Sequence, residues 1–191
     1  MQISRALRLA GPALAVATGI GIYSSTILAA DYKPADDAAL VKALPTSKHT
    51  LAEVIREVSK GGEVPIEAKL ELDGAKLMIG AYTSVKGLAI DAENNSFKEY
   101  NGAATDAAWK PETEVFTDFK HIARSAQYHA LLSMTKVGIP AIIQKASTQG
   151  TVLSVKEKIR GGKPVFEVTI VQGNTIKPMF YDLASGEPTA G

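Results

Sequence analysis

Residues 66–72, IEAKLEL, alternate without a fault, with Ile66, Ala68, Leu70 and Leu72 on one side and Glu67, Lys69 and Glu71 on the other. A period of two puts the apolar set on one face of a strand and the charged set on a solvated face. Asp73-Gly74 then turns the chain, and KLMIGAY, residues 76–82, returns it as an antiparallel partner. A half-buried hairpin is marginal alone, so this segment demands more strands and a second layer over its apolar face. That layer is encoded just upstream. Thr50 and Glu53 form a capping box, Leu51, Val54, Ile55 and Val58 share one helical face, and Gly61-Gly62 stops the helix. GLAID, residues 87–91, reads as a short third strand ending at Asp91.

The same order returns 88 residues later. Leu51, Val54 and Ile55 fall on Ile139, Ile142 and Ile143, and Gly62 falls on Gly150. At this offset Asp73-Gly74 meets Gly161-Gly162, and LMIGAY meets VFEVTI, residues 165–170. Three extra residues in the second copy bring Asp91 onto Asp182. Pro140 sits in the first turn of the second helix, where its missing N–H costs nothing. The chain therefore reads as a duplication. Between the copies, residues 101–111 form a loop containing Trp109, and a helical pattern runs from Glu112 to about Lys136. Its apolar stripe is Val115, Phe116, Phe119, Ile122, Ala123, Ala126 and Ala130.

The expected fold is α+β: two repeated units, each a helix plus a three-stranded antiparallel meander, joined by a helix. Residues 48–100 hold the first unit, 101–136 the loop and bridging helix, and 137–191 the second. A tether, residues 31–47, precedes them. Ahead of it, Arg5 and Arg8 lead into an uncharged run, residues 9–30, laid out as a secretory signal. The run is long enough to span a bilayer, so residues 1–30 are either a cleaved signal peptide or an uncleaved membrane anchor. Both readings export the body to the periplasm and confine membrane contact to residues 1–30.

Net charge is +1, and the two N-terminal arginines leave −1 for the rest, 19 basic residues against 20 acidic. A nearly neutral body without a basic cluster argues against nucleic acid as a partner. The chain has no cysteine, which removes disulfides, thiolate metal sites, cysteine nucleophiles and a lipoprotein anchor.

The stretch GGKPVFEVTIVQGNTIKPMFYDLASGEP, residues 161–188, resembles the PepSY domain. It has that family's glycine turn, Pro-Val-aromatic-Glu-Val strand, second turn, third strand and closing Asp-x-x-x-Gly-Glu. The first copy is similar in layout but has Asn95 where the closing glycine belongs. The resemblance implies an exported or membrane-attached binding module with a helix packed on one face of an antiparallel sheet. Some PepSY domains are propeptides of thermolysin-type peptidases, which implies binding or inhibition rather than catalysis.

Catalytic and metal-binding patterns fail on geometry. His121 and His129 lie eight apart and diverge on a helix, and His49 precedes the first cap. Asp118, His121 and Ser125 share one helical face, but a mid-helix serine lacks a sharp turn and oxyanion donors; they read as a solvated polar face opposite the apolar stripe. Asp91, Asp182 and Gly186 read as turn formers, with Gly186 supplying a positive φ. Trp109 is either a loop pin or an exposed partner contact. Pro178 places its strand at a sheet edge or faces away from the neighbouring strand, and the unblocked edge of the first copy is a place where a partner strand could add.

The expected function is a non-enzymatic exported protein, without cofactor, that binds a protein or peptide partner in the periplasm. One alternative is an accessory subunit of an inner-membrane complex, anchored by an uncleaved N-terminal helix. The other is a peptidase inhibitor.

Overall fold

The computed structural model describes residues 37–189. The expected signal or anchor, residues 1–30, and the first part of the tether lie outside the described residues. Four α-helices and seven strands follow in the order α1 (Asp37–Ala43), α2 (Leu51–Val58), β1 (Val64–Asp73), β2 (Lys76–Ser84), β3 (Phe97–Ala103), β4 (Glu112–Val115), α3 (Phe119–Ser133), α4 (Ile139–Ser147), β5 (Thr151–Arg160), β6 (Lys163–Gln172) and β7 (Thr175–Asp182). All seven strands join one antiparallel sheet in the order β4-β3-β2-β1-β5-β6-β7. The two meanders are not separate sheets, because β1 and β5 pair at the centre, with Ala68 opposite Val155.

Local signals behave as their chemistry requires. Thr50 Oγ1 accepts from the Glu53 N–H while the Glu53 carboxylate accepts from the Thr50 N–H, completing the capping box. The helices α2 and α4 bury Leu51, Val54, Ile55 and Val58, and Ile139, Ile142, Ile143 and Ala146. They pack against β1–β2 and β5–β6 respectively. Beneath them lies the sheet face bearing Ile66, Ala68, Ile79, Ala81, Val155, Phe166, Val168 and Ile170, each essentially without solvent exposure. At about 25 cal/mol per Å² of apolar surface, this shared core is the main source of stability.

Three expectations are corrected. First, residues 87–91 are not a strand. The third strand of the first meander is β3, which runs past residue 100, and Asp91 lies in the connection between β2 and β3. Asn95 orders that connection, accepting from the Lys86 N–H and donating to the Gly87 carbonyl, so Asn95 braces a loop and does not replace a closing glycine. The residue in register with Asp182 is therefore Ala103, opposite Met78 in β3, not Asp91. The helices do match at 88 residues, but the strands match at one residue less: Gly74 and Gly161 hold the same turn position, with φ of 58° and 56°. The helix-to-strand connection is one residue shorter in the second half.

Second, Glu112–Val115 is strand β4, not the start of a helix. It pairs with β3 and covers the edge that was expected to stay open. The helix begins only where Asp118 caps it, its carboxylate accepting from the His121 N–H.

Third, α3 is turned round. Most of the expected apolar stripe faces solvent, with Val115, Phe119 and Ile122 exposed (Phe119 86%), although Phe116 is buried ahead of the helix and Ala126 touches the core. Ser125, Tyr128, His129, Leu131 and Leu132 are buried. The cause lies in β1. Its charged set, read as solvated, sits on the sheet face that α3 covers, where Tyr82 meets Phe116 and His121 and Ser84 meets His129. A helix landing on charges presents its polar side.

Candidate functional site

A cleft of about 320 Å³ opens where the end of α2, the start of β1 and the α3–α4 turn converge. Its walls are apolar, formed by Pro65, Leu88, Leu132, Val137, Ile139 and Pro140. Each wall has a local origin. Pro65 lies at a bulge of β1, Leu88 comes from the β2–β3 connection, and Pro140 holds the first turn of α4. A second cleft of about 450 Å³ shares Ser59 and Pro140 with the first and adds Arg56 and Lys60, so the two adjoin. Lys136 also lines the first cleft and is exposed.

The Ser59, Thr135 and Glu63 side chains of the cleft are already engaged. Ser59 Oγ donates to the Ile55 carbonyl at 2.7 Å, and Thr135 Oγ1 accepts from the Val137 N–H. The Glu63 carboxylate accepts from Lys98 Nζ at 2.7 Å, Tyr100 Oη at 3.0 Å and Thr83 Oγ1. Burial pushes the Glu63 carboxyl up, but these three donors outweigh it and hold the group below its ordinary range. An acceptor held ionised by three donors is poorly placed to take a proton, and neither hydroxyl has a base beside it.

A polar layer lies between α3 and the sheet. Glu67 is buried and its Oε2 has no hydrogen-bond partner among the described residues, and the same holds for Arg124 Nη2 and Ser125 Oγ. Burial raises the Glu67 carboxyl despite the nearby Lys156, Lys69 and Arg124. His129 Nδ1 lies 2.9 Å from Ser84 Oγ, and burial lowers its pKa. Ser125 is fully buried, so the Asp118–His121–Ser125 face is not the solvated one expected. His121 instead contacts the Asp118 carboxylate, while His49 Nε2 contacts the Asp106 carbonyl. Among the described residues no group of three or more His, Asp and Glu side chains is placed to hold a metal, and no helix is long and apolar enough to cross a membrane.

The residues singled out from the sequence do not converge. Asp91 precedes a single 3-10 turn over Ala92–Asn94. Asp182 Oδ1 accepts from the Ser185 and Ala184 N–H groups and the Ser185 hydroxyl, which hold its carboxyl below the usual range. Gly186 has φ 66°, and its carbonyl accepts from Lys145 Nζ at 2.7 Å, tying the closing turn to α4. No protein-family model matches the chain, and no curated protein matches it. A solved structure, that of a candidate lipoprotein from Clostridium difficile 630, aligns over 75% of this chain and 92% of its own at 14% identity. Its TM-score of 0.39 is too low to carry any argument about this chain.

Trp109 is half-buried against the core, and its indole N–H donates to the Ile79 carbonyl at 3.2 Å. The ring lies over Gly102, where an added Cβ would stand 2.8 Å from Nε1. Gly102→Ala is expected to push the indole outward and cost about 1–2 kcal/mol. Because this is the chain's sole tryptophan, its emission should shift to the red in step with the lowered melting temperature. Unchanged emission would show that the contact is slack.

Sequence reasoning missed both the cleft and the polar layer. The cleft has no sequence signal, since its walls come from four separate segments. The layer had one: Ser125, Tyr128 and His129 lie on the same side of α3 as Leu132.

Proposed function

We propose that this is a non-enzymatic, exported, PepSY-like protein of the periplasm, built from two copies of one helix-plus-meander unit. Its cleft holds an apolar peptide segment that carries an acidic group. The observation that supports this most is a concave apolar surface whose serine, threonine and glutamate side chains are engaged within the fold, with the Lys136 ammonium at its border. Arg56, Lys60 and Lys136 around the adjoining clefts favour a negative charge on the ligand. Lys60 also contacts Glu57, so its share of that attraction is reduced.

The test is fluorescence polarisation of labelled apolar peptides, acidic or basic at one end, against residues 33–191. Acidic-ended peptides are expected to bind more tightly and to be recovered intact by mass spectrometry. Val137→Glu is expected to weaken them about tenfold or more, equivalent to roughly 1.4 kcal/mol. The reading fails if no peptide binds, if Val137→Glu binds as the parent does, or if the peptides are cleaved.

A further inference from the structure

The outward side of α3 carries a row of apolar residues, of which the large ones are exposed among the described residues while Ala126, at the middle, is half-buried and also touches the core. Phe119 and Met134 are 86% and 71% exposed, Ile122 is 38% exposed, and Ala123, Ala126 and Ala130 lie between. Exposed apolar side chains occur elsewhere singly, at Ile90 and Ile159, but a continuous row of them marks a contact site. Large side chains stand at the ends of the row and small ones at its middle. That profile is complementary to itself when reversed.

We infer that the outward side of α3 is the contact between two copies of this chain, which pair antiparallel about a two-fold axis near Ala126. In that pairing Ala126 meets Ala126, Ile122 lies over the small side chain of Ala130, and Phe119 reaches the thioether of Met134. Both helix backbones can approach closely at the alanines. Charge supports the same arrangement. The approach to α3 is acidic on balance, with the exposed Glu112 and Glu114 of β4 and Asp118, itself bonded to His121, against Lys120 in the first turn, and Lys136 lies just past the helix end. Reversal sets each acidic end against the other copy's lysine, and does so twice. The opposed helix dipoles add to the fit. A lipid surface is a poorer match, because an anionic bilayer would meet the acidic end. The row spans about 22 Å, from a rise of 1.5 Å per residue. One helix pair of that length lies at the small end of stable interfaces, so the dimer is concentration-dependent.

The chain's lack of cysteine makes the axis testable. Residues 33–191 form one compact unit with its own core and serve as the test protein. Ala126→Cys is expected to give a disulfide-linked dimer on mild oxidation, whereas Ala184→Cys, exposed in the closing turn, stays monomeric. By sedimentation the parent should move from monomer to dimer with rising concentration. Ala126→Glu should remain monomeric with an unchanged circular dichroism spectrum. Val137→Glu, in the cleft, should dimerise as the parent does, which separates this inference from the peptide-binding reading. The inference is overturned if the parent stays monomeric throughout, if Ala126→Glu dimerises normally, or if Ala126→Cys cross-links no better than Ala184→Cys. Binding of the monomeric parent to phosphatidylglycerol vesicles, lost in Ala126→Glu, would overturn it in favour of a lipid surface.

Discussion

Gly150→Ala is expected to destabilise the protein by about 3 kcal/mol, the upper end of what overpacking costs. Gly150 leads from α4 into β5, and an added Cβ would lie 2.2 Å from the Val171 carbonyl oxygen and 3.0 Å from its carbon. Those atoms belong to the backbone of β6, which is hydrogen-bonded to β5 on one side and β7 on the other. Neither neighbour lets it retreat, and β5 also carries the central pairing to β1. Urea denaturation should show a lower midpoint with an unchanged slope. Gly61→Ala is the control, because no atom lies within 4 Å of its added Cβ; it should alter stability by less than about 0.5 kcal/mol. Equal midpoints for the two variants would refute the clash.

Glu157→Leu is expected to stabilise the protein, by on the order of 2 kcal/mol near neutral pH. Glu157 is only 1% exposed, lies on the core face of β5 opposite Phe166, and neither carboxylate oxygen has a hydrogen-bond partner in another of the described residues. In the first half of the chain the matching place is held by Leu70, which is buried among apolar residues. Burial raises the Glu157 carboxyl well above its ordinary value of 4.5, and the charge of Glu67 adds to the rise. The folded protein therefore keeps a proton that the unfolded chain releases above pH 4.5. Stability from this group is complete below that pH and is lost as pH rises towards the folded-state pKa. Thermal melts from pH 4 to pH 9 should show the parent losing stability with rising pH more steeply than Glu157→Leu. The gap between them should be smallest at pH 4. Equal slopes, or a less stable leucine variant at high pH, would show that the carboxyl is satisfied in the fold.

The features legible in the sequence depend on residues close together in the chain. The Thr50–Glu53 capping box spans three residues, and the Ile66–Leu72 alternation and the Gly74 and Gly161 turns are equally short-range. Their recurrence was also visible, although a one-residue difference in the helix-to-strand connection displaced the match along the strands. That slip hid the anomaly of Glu157, because at the offset of 88 it aligns with Lys69 and looks solvated. Residues 87–91 were mistaken for a strand because four apolar or small residues before an aspartate resemble one. The fold instead makes β3 from Phe97–Ala103 and leaves the earlier run in a connection braced by Asn95.

By itself the sequence determined the helices α2 and α4, the two hairpins and their turns, and the mixed helix-and-sheet class, because each rests on periodicity or on contacts within a few residues. Only the tertiary structure decided that β1 and β5 join the halves into one sheet, that β4 covers the β3 edge, and that α3 buries its polar side. Each of those outcomes is a choice between partners far apart in the chain. For α3 the deciding term was the charged face of β1, about fifty residues upstream, whose burial required polar neighbours. A helical stripe shows which residues can share a face, but the surface it meets decides which face goes in.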